Sequence, residues 1–197
     1  NRLQTPDKEG VRPLSAKTIR NVHGVFHKAL EQAVQAGYIR ANPASASKPP
    51  KAAKPEIRPL DTDQVSAFLK AIQGHPHEYL YQITIFTGLR QGEVLGLTWD
   101  CLNMERGTLL VKQQLRREQQ KGGQYYFSTT KNSRSRVLTL APSVVRLFRL
   151  QKIKENGMRT KAGELWQETG LIFTNEVGSR LSYRTAYDCF KRVVAKI

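Results

Sequence analysis

Thr87-Gly88-Leu89-Arg90-Gln91-Gly92-Glu93-Val94-Leu95-Gly96-Leu97 is the stretch on which the fold turns. Tyr79 to Phe86 ahead of it is a dense apolar run of helical length, and Gly88 breaks that run. Val94, Leu95 and Leu97 then open a short second helix before Trp99-Asp100. Arg90 and Glu93 stand three apart at the start of that helix, so the carboxylate can share a face with the guanidinium and hold it. An arginine at such a break offers a planar fork to a phosphate. On physics alone, a structural ion pair closing the helix start is the other reading.

Toward the C-terminus the pattern changes to β. Thr108 to Val111, Gln124 to Thr130 and Arg136 to Leu140 are separated by Gly107, Gly122-Gly123 and Lys131-Asn132-Ser133, and this predicts a three-stranded meander. A tight turn between the last two strands would present Lys131 at its tip, where a flexible ammonium reaches a ligand or merely touches DNA nonspecifically. Helical spacing returns from Val144 to Leu150, a short strand fits Leu171-Ile172-Phe173, and Tyr183 to Val194 reads as a last helix.

Toward the N-terminus, Asp61 and Gln64 form a capping-box start for a helix carrying Val65, Phe68, Leu69 and Ile72. Before it, residues 43–59 hold Pro43, Pro49, Pro50, Pro55 and Pro59 among Ala, Ser and Lys, which predicts an extended basic linker. The first helix starts at an N-cap Ser15, carries Ile19, Val22, Phe26, Ala29 and Ala33 on one face, and stops at Gly37. One helix cannot bury such a face alone, so residues 1–42 read as the last part of a small helical domain. The fold class expected is α+β, mainly helical.

The chain has 197 residues and a formal charge of +16, which excludes an acidic or near-neutral profile. Residues 1–58 hold 11 basic and 4 acidic side chains, residues 59–130 hold 7 of each, and residues 131–197 hold 14 and 5. Such an excess on a foldable chain points to a polyphosphate partner, nucleic acid first, with a solvated basic surface as the bland alternative and an anionic membrane as a weaker one. No basic helix carries the large aromatic face a membrane surface would favour. No apolar run approaches the roughly 18 residues a membrane span needs, and two distant cysteines, Cys101 and Cys189, argue against a disulfide framework; both predict a soluble, cytoplasmic protein. His75-Pro76-His77 has no third Cys or His nearby and reads as a solvated loop before a metal pair.

With these residues in view, the chain resembles the tyrosine recombinases, the phage and transposon integrases. The resemblance rests on T-G-L-R-x-G-E-x-x-x-L at residues 87–97 with Trp99-Asp100 after it, and on T-K-x-x-x-S-x-R-x-x-x-L from Thr130 to Leu140. It extends to Ala36-Gly37-Tyr38-Ile39 and Asn42-Pro43. It implies the end of a SAM-like helical core-binding domain in residues 1–42, a linker in 43–59, and the N-terminal part of a catalytic domain in 60–197, together clamping duplex DNA. It also implies attack of a tyrosine hydroxyl on a phosphodiester, giving a 3′-phosphotyrosyl link and a free 5′-hydroxyl. Bond energy is kept, so neither metal nor nucleotide is called for.

In that chemistry Arg90 would bind the scissile phosphate, Glu93 would hold Arg90 in support, and Lys131 would protonate the leaving 5′-oxygen as general acid. Lys48, Lys51 and Lys54 of the linker, with Arg134 and Arg136, would contact the DNA backbone. The family's H-x-x-R motif is absent: none of His23, His27, His75 and His77 has an arginine three positions on. Tyr183 and Tyr187 come too early for the nucleophile and read as packing or DNA-contact residues. The sequence therefore reads as an interior part of a site-specific recombinase from a bacterial mobile element or phage, a part that binds DNA without cleaving it, the whole protein working as a tetramer. A noncatalytic DNA-binding module that kept the fold is the rival reading.

Overall fold

The computed structural model describes residues 13–51, 56, 59–118, 123–129 and 135–197. The chain divides into two compact units, Asn1–Pro59 and Leu60–Ile197.

In the first unit, α1 (Ala16–Gln35) begins where the Ser15 side chain accepts the Thr18 N–H. It ends in paired bonds from Tyr38 N–H to the Ala33 carbonyl and Gly37 N–H to the Val34 carbonyl, with Gly37 at φ +76°. That left-handed turn suits glycine because no Cβ crowds the following carbonyl. The proline segment departs from the expected extended linker at its start. Pro43–Ala46 is one turn of 3-10 helix capped by Asn42, whose amide also donates to the His27 carbonyl and to Glu31. His23 bonds the Ala44 carbonyl, so this turn lies on α1 itself. Val22, Val25 and Phe26 on α1 are exposed, so the apolar stripe is not buried among the described residues.

The second unit opens with α2 (Thr62–Ala71), whose Asp61 and Gln64 exchange side-chain-to-backbone bonds as a complete capping box. α3 (Glu78–Thr87) ends at Gly88 in the left-handed region, φ +63°, and α4 (Gln91–Leu95) follows. The strands are β1 (Leu102–Asn103), β2 (Thr108–Val111), β3 (Gln113–Arg117), β4 (Tyr125–Thr129) and β5 (Arg136–Thr139). After them come the long α5 (Pro142–Ala162) and then α6 (Tyr183–Val194).

The β region is antiparallel, but its connectivity differs from a simple meander. One sheet has the order β1-β2-β5, and β3 and β4 pair separately as a hairpin. β4 and β5, expected as neighbours, therefore belong to different sheets, and the strand that pairs with β4 is β3. Leu171-Ile172-Phe173 is likewise not a strand: Leu171 makes a single bridge to Thr98, and Thr174 one to Arg180.

The core gathers Phe68, Ile72, Ile83, Leu95, Leu97, Leu109, Val111, Leu115, Phe148 and Ile172, all essentially inaccessible to solvent. Burying a side chain of this size contributes about 1.5–3 kcal/mol each. Tyr81 meets Phe68 and Phe190 edge to face or tilted and donates its hydroxyl to the Ala186 carbonyl at 2.8 Å, tying α3 to α6. Gly96 sets the seat of the hairpin. A Cβ there would stand 2.6 Å from the Leu115 backbone nitrogen, so the end of α4 and β3 approach at a distance only glycine allows.

Candidate functional site

Gly88 turns the chain out of α3, Leu89 is buried, and Arg90 follows in extended conformation as the residue that opens α4. The anchor of the site is Glu93, whose side chain is 1% exposed while that of Arg90 is 63% exposed. Glu93 Oε2 accepts the Arg90 backbone N–H at 3.0 Å, satisfying an amide that the first turn of the helix leaves without a partner. Its Oε1 accepts Arg90 Nη1 at 3.1 Å.

Arg136, the first residue of β5, enters the same carboxylate. Its Nη1 and Nη2 donate to Oε1 and Oε2 of Glu93 at 2.9 and 2.8 Å, a parallel fork. β5 is held for this by its register with β2, in which Arg136 lies opposite Val111. Glu93 thus accepts four hydrogen bonds from two arginines. The Arg136 fork above all, with the Arg90 bonds behind it and against the effect of burial, pulls its carboxyl down to about 2. Arg136, expected as a DNA-backbone contact, also engages Glu93 with its guanidinium. Sequence reading missed this pairing, and no local spacing could have signalled it, since the two residues are 43 apart.

The other expected residues fall as follows. Lys48 and Lys51 are exposed. Lys54, Lys131 and Arg134 lie outside the described residues. Tyr183 starts α6 with its hydroxyl against Gly92, its ring edge-on to Tyr125 at 5.9 Å, and its carbonyl accepting the Gln91 side chain. Burial pushes its phenol up to about 12, the opposite of an activated nucleophile. Tyr187 is half exposed. Arg117 over the Tyr125 ring and Arg180 over the Phe127 ring add cations to the hairpin that sequence reading did not single out. Among the described residues no group of three or more His, Cys, Asp and Glu is placed to hold a metal ion, and no helix is long and apolar enough to cross a membrane. Cys101 and Cys189 are both free thiols.

The site thus joins a buried acid to an exposed arginine at a helix start, beside an antiparallel hairpin. Residues 58–197 match the model of the phage integrase family. The chain belongs to the phage integrase family. Within it, a tyrosine recombinase XerC-like protein of Caldanaerobacter subterraneus subsp. tengcongensis is 26% identical over 197 residues, covering 91% of this chain and 50% of that protein. The integrase of the Tn1549 transposon, solved with a circular intermediate DNA, matches with a TM-score of 0.75 at 26% identity over 93% of this chain and 59% of that one. Lambda integrase, solved as a tetramer bound to a Holliday junction, has the same fold, with a TM-score of 0.59 at 18% identity over 98% of this chain and 54% of that one. This chain therefore spans about half the length of the XerC-like relative.

Proposed function

We propose that this chain supplies the DNA-gripping surface and part of the phosphate site of a site-specific DNA recombinase, which cuts and rejoins strands through a 3′-phosphotyrosyl link. The observation that carries the proposal is the exposed guanidinium of Arg90 held from below by the buried, ionised Glu93 within the family-matched segment. A phosphodiester undergoing attack gathers negative charge on its nonbridging oxygens, and a prepositioned guanidinium stabilises that charge without reorganising. Arg90 is the phosphate ligand in this reading, Glu93 its holder and Lys131 the acid that protonates the leaving 5′-oxygen. Lys48, Lys51, Lys54 and Arg134 contact phosphates of the duplex, and Tyr183 is a packing residue.

Residues 1–42 serve as the end of a core-binding domain, 43–59 as the linker and 60–197 as part of the catalytic domain. The partner is double-stranded DNA, engaged by a tetramer of the full-length protein in the bacterial cytoplasm, on the nucleoid. The Tn1549 and lambda integrases, each solved on DNA, support the partner, and the lambda tetramer supports the assembly.

The test is duplex binding by the 197-residue chain across salt concentrations, combined with a nicked suicide duplex that traps covalent protein. The expected result is salt-sensitive affinity, log Kd rising with log salt at about 0.9 per phosphate contact, with no adduct. Salt-insensitive binding would count against the DNA reading, and an adduct would show that this chain carries its own nucleophile.

A further inference from the structure

Among the described residues Arg90 gives one side-chain N–H, from Nη1, to Glu93. A guanidinium has five N–H donors, so four remain for a ligand. That economy is unusual for an arginine beside a buried carboxylate, which ordinarily draws its partner into a two-bond fork. Here the fork on Glu93 is made by Arg136 instead, at 2.9 and 2.8 Å. Two of the four bonds to the carboxylate come from β5; Arg90 supplies the other two, its backbone N–H on Oε2 at 3.0 Å and one side-chain bond of 3.1 Å on Oε1, each oxygen being shared with Arg136.

We infer that Arg136 is a positioning residue for phosphodiester chemistry: by occupying both oxygens of Glu93 it stops the carboxylate from closing bidentately on Arg90 and so keeps the ligand-facing donors of Arg90 free. This rests on the reading of Arg90 as a phosphate ligand. Two cations on one carboxylate also leave the cluster a net positive charge, suited to an anionic ligand. Without Arg136 the buried carboxylate has Arg90 as its remaining cationic partner on the described surface. Left with one cation in place of two, its carboxyl titrates higher whether or not it turns onto Arg90 with both oxygens, and Arg90 is mis-set in either case.

The experiment compares Arg136→Gln and Arg136→Lys with the unaltered protein in two measurements. In the full-length protein, single-turnover cleavage of a nicked suicide duplex is followed against duplex concentration. The maximal rate of Arg136→Gln is expected to fall roughly 100-fold with half-saturation little changed, and Arg136→Lys, which keeps the charge but not the fork, to recover part of that loss. A maximal rate within twofold of the unaltered protein overturns the proposal. So does a loss confined to half-saturation, which would make Arg136 a direct phosphate contact. In the 197-residue chain, the Glu93 carboxyl is titrated by carbon-13 NMR, and its midpoint is expected to rise by roughly two pH units in Arg136→Gln. An unmoved midpoint also overturns the proposal. If the unaltered full-length protein forms no adduct, the recombinase reading has failed, while the titration still decides whether Arg136 controls Glu93. If Arg136→Gln does not fold, Arg136→Lys carries both comparisons.

Discussion

Arg136 and Glu93, 43 residues apart in sequence, meet in a two-bond fork at 2.9 and 2.8 Å that joins the first residue of β5 to the first turn of α4. The same carboxylate holds Arg90, so the orientation of the exposed guanidinium depends on the sheet as well as on its own helix. This link between a loop-to-helix junction and a strand makes the site a property of the folded unit.

The link predicts acid sensitivity. An unfolded glutamate takes up its proton near 4.5, whereas in the folded protein Glu93 stays charged down to about 2, chiefly because of Arg136. The stability this difference contributes is complete above pH 4.5 and is lost as pH falls toward 2, roughly 3 kcal/mol in all. Urea unfolding of Glu93→Gln from pH 2 to 7 should show a lower midpoint at neutral pH and a shallower fall in acid. Equal slopes in the two proteins would remove Glu93 from the account.

His77 adds a second acid step above the first. Burial, with His75 and Lys154 nearby, lowers its imidazole to about 4. The unfolded chain accepts a proton near 6.5 that the folded one refuses, so stability also declines as pH drops from 6.5 toward 4. In His77→Gln the pH dependence over that range should flatten, measured by the same urea series.

Gly96→Ala should loosen the β3–β4 hairpin from α4. The added methyl would meet the peptide between Gln114 and Leu115, its nitrogen at 2.6 Å and its carbonyl carbon at 3.0 Å, and also the Gly92 carbonyl oxygen at 3.1 Å. A cost of roughly 1–3 kcal/mol is expected, with faster amide exchange at Leu115. An unchanged unfolding midpoint would mean that the close approach relaxes without cost.

A pair of substitutions on one helix separates core from surface. Phe148 is 0% exposed and Ile153 is 68% exposed, both on α5. Phe148→Ala should cost about 3–5 kcal/mol, and Ile153→Ala about 0.5 kcal/mol or less, read from urea or thermal unfolding. Similar losses would contradict the assignment of the buried face.

Where polar caps and an apolar face agree, sequence reading located the elements closely. Asp61 with Gln64 marked the start of α2, and α6 runs from Tyr183 to Val194 as expected. β3 went unseen because Gln113–Arg117 buries Leu115 alone, too little for alternation to register. The second half of α5 escaped for a related reason: its inward-facing Gln151 and Glu155 are polar, satisfied by the Ile172 carbonyl and by Lys152. With no β3 signal in the sequence, β5 is the only neighbouring strand left for β4, which is the meander expected. The Arg90 and Glu93 half of the site was legible because it is local. Its Arg136 half depends on the pairing of Val111 with Arg136, which no spacing encodes.

The most direct test of the central claim, that Arg90 is the phosphate ligand of a recombinase site, is single-turnover cleavage of a nicked suicide duplex by the full-length protein carrying Arg90→Ala. The account predicts at least a roughly 100-fold loss of the covalent product, with duplex affinity within a few fold because phosphate contacts are spread over many cations. Adduct formation at the unaltered rate, or a collapse of duplex binding, would contradict it and leave Arg90 and Glu93 as a structural pair.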